Sequence, residues 1–213
     1  MLKEYVLSDA GIEAFLRLDG VGLERWRQRY WRRVAEFMPE RRQDVMFVDK
    51  LPLNSVFIPL LRRLFPGARF LFALRDPRDV VLSCFMQSFA LNEAMRHFLT
   101  LQETAAYYAA VMQVGADSVK RLPEAAHRVR YEDVVQDLEG EARRLLGFLG
   151  LPWEPGVLDF QQTARKRRIN TPSYHQVAQP IYASAKQRWR RYEGQLASVL
   201  PVLEPFVKRF GYR

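Results

Sequence analysis

Apolar residues recur along this chain in two rhythms, and the change from one to the other marks its elements. Leu23, Trp26, Tyr30, Val34 and Phe37 return every three or four residues, the period of a helix with one buried face. Arg25, Arg27, Arg29, Arg32 and Arg33 fill the positions between them, and Pro39 limits the helix. Upstream, Gly11, Gly20 and Gly22 interrupt any period and leave a short helix around Ile12 to Leu18. Asp44 to Val48 reads as a short strand. Asp49-Lys50-Leu51-Pro52-Leu53-Asn54 leaves it as a turn, with Asn54 placed to cap a helix from Ser55 to Phe65 that Pro66-Gly67 closes.

Arg69-Phe70-Leu71-Phe72-Ala73-Leu74 is a second run of strand length, and Val80 to Phe89 reads as the helix after it. Asn92 to Lys120 is a long helical stretch whose Ala105, Ala106, Ala109 and Ala110 suit close packing, ended by Leu122-Pro123. His127 to Tyr131 is another strand. From Glu132, Val134, Leu138, Ala142, Leu145, Leu146 and Leu149 fall on one helix face until Gly150 stops it. Pro152, Pro155 and Gly156 mark a turn, and residues 157–164 read as a short helix. Arg165 to Pro180 is basic and turn-rich, with the look of a lid. Ser184 to Phe210 closes the sequence as one or two helices broken at Pro201. Strands alternating with helices predict an α/β domain with a parallel sheet and right-handed crossovers.

Composition adds a preference for anions. Of 213 residues 48% are hydrophobic, which suffices for one packed domain, and Lys plus Arg exceed Asp plus Glu by 33 to 24, giving net +9. A nucleotide, a nucleic acid, a sulfated or phosphorylated substrate and an acidic surface all fit that charge. The arginine-rich helix reads as a solvated face rather than a nucleic-acid contact, because no recognised motif or aromatic platform accompanies it. Cys84 is the single cysteine, which excludes an intrachain disulfide and a multi-cysteine metal site and favours a reducing, cytoplasmic setting. No apolar run approaches the roughly 18 to 20 residues of a membrane span. The N-terminus, with Lys3, Glu4 and Asp9, lacks the apolar core of a signal peptide.

Motifs narrow the chemistry by elimination. Gly-x-x-x-x-Gly-Lys-Ser/Thr, Gly-x-Gly-x-x-Gly after a strand, His-Glu-x-x-His and Gly-x-Ser-x-Gly are all missing, and His97, His127 and His175 lack ligand spacing. No metal is expected. What remains is Arg75-Asp76-Pro77-Arg78-Asp79-Val80-Val81-Leu82-Ser83, a charged link between strand and helix, where open α/β sheets bind ligands. Arg75 can offer a bidentate fork to a phosphate, and Ser83 can turn a hydroxyl toward the same anion. Asp76 and Asp79 instead suit capping or pairing with Arg78, and Arg75 and Arg78 serving those aspartates alone is the competing reading. Cys84 reads as a small buried hydrophobe rather than a nucleophile.

Taken with its flanks, the link falls into an ordered series. Val48-Asp49-Lys50-Leu51-Pro52-Leu53-Asn54 precedes Leu64-Phe65-Pro66-Gly67-Ala68-Arg69, the Arg75 to Ser83 link, Val129-Arg130-Tyr131-Glu132-Asp133 and Phe148-Leu149-Gly150-Leu151-Pro152-Trp153. Ser173-Tyr174-His175-Gln176-Val177, Gln179-Pro180-Ile181-Tyr182 and Arg188-Trp189-Arg190-Arg191-Tyr192 complete it. From about residue 40 onward the series resembles the bacterial sulfotransferases often fused to tetratricopeptide repeats, relatives of the tyrosylprotein sulfotransferases. The resemblance implies a P-loop-NTPase-like three-layer fold with a short parallel sheet flanked by helices. It implies transfer of a sulfuryl group from 3′-phosphoadenosine 5′-phosphosulfate (PAPS) to an acceptor, usually a hydroxyl. By position, Arg75 and Ser83 match the pair that holds the donor's 3′-phosphate, Tyr131 a tyrosine near the nucleotide, and Arg188 a basic position that reaches the donor's phosphates. Lys50 matches a lysine beside the transferring group, and Ser173 a serine near the reacting centre.

The sequence departs from that family at its start. Relatives begin with a strand and a Pro-Arg-Ser-Gly-Thr-Thr type loop that cradles the 5′-phosphosulfate, followed in the tyrosylprotein group by a glutamate base. This sequence shows neither, and Ala178 stands where many relatives carry a basic residue. The expectation is an N-terminally truncated sulfotransferase with an incomplete sheet and no identifiable general base; His175 has no family match for that role. A non-catalytic module that binds a nucleotide or another polyanion is the alternative.

Overall fold

The computed structural model describes residues 8–40, 45–159 and 186–213. They cluster into two compact units, residues 1–68 and 69–213. In the first, Ser8 Oγ accepts from the Gly11 amide and opens α1 (Asp9–Leu16), and the Asp19 carboxylate accepts from the Gly22 amide and opens α2 (Gly20–Phe37). The start of the apolar stripe faces a small core: Trp26 is buried there with Phe15, Leu60 and Leu64, and Leu23 packs against it, whereas Phe37 at the far end of the stripe is exposed. Two arginines serve the backbone rather than solvent: Arg27 Nε donates to the Leu64 carbonyl and Arg63 Nη2 to the Leu18 carbonyl, each at 2.6 Å. Both carbonyls lie at or beside helix C-termini, where cations and donors are favoured.

Two expectations fail in this unit. Residues 45–50 form no strand: Val45, Met46 and Val48 are exposed, and no strand among the described residues offers them a ladder. Nor does Asn54 cap a helix. A 3-10 turn already begins at Pro52 (Pro52–Phe57) and runs into α3 (Ile58–Leu64), because proline at the first helical position presets the turn. The Asn54 side-chain Nδ2 instead donates to the Asp49 carboxylate.

The second unit contains the sheet. β1 (Phe70–Leu74) and β2 (Ala126–Arg130) pair in parallel, from Phe70 opposite Ala126 to Leu74 opposite Arg130. Phe72 and Leu74 are buried while Leu71 and Ala73 alternate outward, the period of a half-covered strand. Between the strands run α4 (Pro77–Met86), a 3-10 turn (Met95–Phe98) and α5 (Leu101–Lys120). After β2 come α6 (Tyr131–Gln136), α7 (Leu138–Leu149) and a 3-10 turn (Pro155–Asp159). Another 3-10 turn (Arg188–Tyr192), α8 (Glu193–Leu196) and α9 (Leu200–Arg209) complete it. The core gathers Phe72, Leu74, Val81, Tyr108, Leu203 and Phe206, with α4, α5 and α9 packed on one another. The class is α/β, with a short parallel sheet flanked by helices.

Boundaries move where polar side chains intervene. α4 starts at Pro77, three residues early, because Asp76 caps it. The long helix expected from Asn92 breaks before Thr100, whose Oγ1 accepts from the Glu103 amide. The helix expected from Glu132 to Leu149 is two, divided at Asp137, whose carboxylate accepts from the Gly140 amide. Gly150, at φ +72°, ends α7 as expected. Pro201 lies in the first turn of α9, where its missing N–H costs nothing. The lid expected at residues 165–180 lies outside the described residues. Among the described helices none is long and apolar enough to cross a membrane.

Candidate functional site

The register of the sheet builds the site's first contact. Because Leu74 pairs with Arg130, the next residues, Arg75 and Tyr131, emerge side by side at the carboxyl ends of the strands. The Arg75 guanidinium lies over the Tyr131 ring, 4.9 Å from its centroid, a contact worth about 0.5–2 kcal/mol. A guanidinium combines such an aromatic contact with the fork geometry that matches carboxylate and phosphate.

Asp76 and Arg78 then lock the link. The Asp76 carboxylate accepts from the Arg78 amide at 3.0 Å, which caps α4, and takes a bidentate pair from the same residue's guanidinium at 2.9 and 2.7 Å. Both side chains are buried, and the guanidinium also lies 3.9 Å over the Trp189 ring. The Asp76 amide donates to Glu132, which in turn accepts from the Tyr212 hydroxyl. Arg78 is therefore committed to structure, as the competing reading held for it; Arg75 also pairs with an aspartate, Asp79, at 3.9 Å, and in addition lies against the Tyr131 ring.

Asp79 is the second organising carboxylate and is 1% exposed. Its oxygens accept from the Gln187 and Trp189 amides at 2.9 and 2.8 Å, and Arg75 Nη2 stands 3.9 Å away. Burial pushes this carboxyl above the ordinary aspartate range; the Trp189 amide and the Arg75 charge oppose that shift. Between the two captured amides stands Arg188, whose guanidinium reaches Met86 Sδ at 3.8 Å. Asp79, Ser83 and Met86 are four and three residues apart, so they share one side of α4. Ser83 is exposed on that side, between Arg75 near the helix start and Arg188 near its end.

Arg75, Ser83, Tyr131 and Arg188 thus belong to one unit, with Ser83 on α4, Arg75 just before that helix and against Tyr131, and Arg188 reaching Met86 at its end. Lys50 stands exposed in the other unit, in a turn whose Asp49 carboxylate accepts from the Tyr30 hydroxyl at 2.7 Å. Ser173 and His175 lie outside the described residues. The Cys84 thiol is pushed up by burial, as a packing residue's would be. Among the described residues no cluster of three or more His, Cys, Asp or Glu is placed to hold a metal ion. The sequence reading missed Glu132, Trp189 and the reach of Asp79. Asp-Pro before a helix signals a cap, but no local pattern signals bonds that span 56 or 110 residues.

Comparison with known proteins agrees with the ordered series. The family model described as "Sulfotransferase family" matches residues 12–155 and so extends over both units. An uncharacterized protein of Aquifex aeolicus is 32% identical over 92% of this chain and 25% of its own length. Protein-tyrosine sulfotransferase A of Caenorhabditis elegans is 26% identical over 77% of this chain and 44% of its own length. The omega-hydroxy-beta-dihydromenaquinone-9 sulfotransferase of Mycobacterium tuberculosis is 30% identical over 65% of this chain and 38% of its own length. The chain spans less than half the length of each of these relatives. With two thirds of its residues inside the family match, the chain belongs to the sulfotransferase family.

Proposed function

We propose that the chain binds PAPS and transfers its sulfuryl group to an acceptor hydroxyl. The observation that carries this reading is the Arg75 fork, stacked on Tyr131 at the strand ends and bordering the same helix as Ser83 and Arg188. A 3′-phosphate is a dianion with planar acceptor edges, the partner that a fixed guanidinium, a hydroxyl and a second guanidinium suit. In the transfer the donor's bridging oxygen–sulfur bond breaks, the acceptor oxygen bonds to sulfur, the acceptor's proton leaves, and 3′-phosphoadenosine 5′-phosphate departs. Lys50 would stabilise the negative charge that grows on the bridging oxygen, and Ser173 would stand beside the reacting centre. The names of two relatives specify a protein tyrosine and an omega-hydroxylated dihydromenaquinone, which supports a hydroxyl acceptor and leaves its identity open to assay.

Calorimetry with 3′-phosphoadenosine 5′-phosphate tests the donor site. Arg75→Ala should weaken binding about tenfold or more, because it removes charge-assisted bonds worth roughly 1.5–3 kcal/mol. Wild-type binding no tighter than that of adenosine 5′-phosphate would sink the assignment. Transfer of labelled sulfate then separates an enzyme from a non-catalytic nucleotide-binding module.

A further inference from the structure

Asp79 has a role that neither the family match nor the sequence assigns. Its partners come from two places far apart in the chain: Arg75 from the end of β1, and the Gln187 and Trp189 amides from the turn before α8. Both carboxylate oxygens are spent on backbone amides of that turn. Gln187 adopts φ +55°, a left-handed conformation that a non-glycine residue holds only when surrounding bonds compensate. The Gln187 amide bond to Asp79 supplies such compensation. With the amides on either side of Arg188 fixed, its backbone has little freedom, and its guanidinium is delivered to Met86, one turn beyond Ser83.

We propose that Asp79 is a positioning residue for donor binding: one buried carboxylate seats the Gln187 to Trp189 turn on α4 and so brings Arg188 to the helix side that carries Ser83. This rests on the donor reading above and adds to it the coupling between a predicted phosphate ligand and the helix that carries another. Asp79 touches no donor atom itself. A carboxylate so near the phosphate-binding arginine would by charge alone oppose an anion, so its presence is explained by what it holds in place.

Asp79→Asn tests the coupling, since it keeps shape and one acceptor oxygen but turns an N–H toward an amide that needs an acceptor. Burial disfavours the charge at this position, so the neutral isostere is expected to fold, which a thermal melt verifies. Two measurements follow. Hydrogen exchange at the Gln187 and Trp189 amides should accelerate about tenfold or more. Affinity for 3′-phosphoadenosine 5′-phosphate should fall about tenfold in the wild-type background and by less than about twofold when Arg188 is already alanine, the signature of two residues acting through one contact. Equal losses in both backgrounds, or unchanged exchange, would overturn the proposal. If Arg188→Ala alone leaves affinity unchanged, the positioning role falls with the assignment of Arg188, even where exchange shows the turn to be seated by Asp79. If the wild-type chain does not bind the nucleotide, the donor reading is what has failed. Should Asp79→Asn not fold, Asp79→Glu, which keeps the charge but displaces it by one methylene, is expected to give the same background-dependent loss.

Discussion

The Arg75 link and the Lys50 turn are both short, charged, and matched to the same family series, yet they are held in opposite ways. In the first, all four carboxylate oxygens of Asp76 and Asp79 accept hydrogen bonds, and those two aspartates and Arg78 are buried. In the second, Asp49 and Lys50 are exposed, Val48 and Leu51 are more than half exposed, and the Asp49 carboxylate accepts from the Tyr30 hydroxyl and the Asn54 side chain. Folding therefore determines where Arg75 stands. The fold places fewer constraints on Lys50, whose contribution would be chemical rather than structural. A preorganised site and a reactive side chain respond differently to mutation, in stability for one and in rate for the other.

The largest expected effect is on the buried pair. Asp76→Ala removes a helix cap and leaves the Arg78 guanidinium uncompensated, which should cost about 3–5 kcal/mol in denaturant unfolding. A loss below about 1 kcal/mol would mean that the link is not fixed by its own bonds, and the contrast between the two loops would collapse. Lys50→Ala should leave stability within about 0.5 kcal/mol while lowering sulfuryl transfer roughly 100-fold or more. Equal damage to stability would show instead that the turn is structural.

The same contrast explains what was legible in the sequence. Helices with a strong apolar period, α2 and α7, were visible from spacing, and so was β1, an apolar run ending at a charged link. Ends were less legible because single side chains decide them: Pro52 starts a turn before Asn54 can cap, and Thr100 and Asp137 each split what periodicity joins. The strand expected at Asp44 to Val48 was an apolar run for which the described residues provide no pairing partner, and pairing is what makes a strand. At the site, residue types were readable and partnerships were not. Arg75 could be singled out by its place after a strand, and its contact with Tyr131 follows from the sheet register, which the sequence alone does not fix. Nothing local links Asp79 to a turn more than a hundred residues later.

The smallest effect concerns the sign of two pH dependences. Asp117 on α5 accepts from Arg209 on α9 at 2.6 Å and from Gln113 at 2.6 Å, and these bonds, that from Arg209 foremost, hold its carboxyl below the ordinary aspartate range. Its stabilising contribution is present above its unfolded-state value, about 3.9, and is lost as pH falls through the lower folded-state value, where the unfolded chain binds the extra proton. Asp79 runs the other way. Burial raises its carboxyl, so its contribution is fully present below the unfolded-state value and is lost as pH rises through the higher folded-state value. Melting temperatures of the wild type, Asp117→Asn and Asp79→Asn across acidic pH should therefore diverge on opposite sides of that value: the first variant removes a dependence below it, the second a dependence above it. Identical profiles for the two variants would break the distinction between a surface pair that solvent screens and a buried carboxylate whose charge burial disfavours.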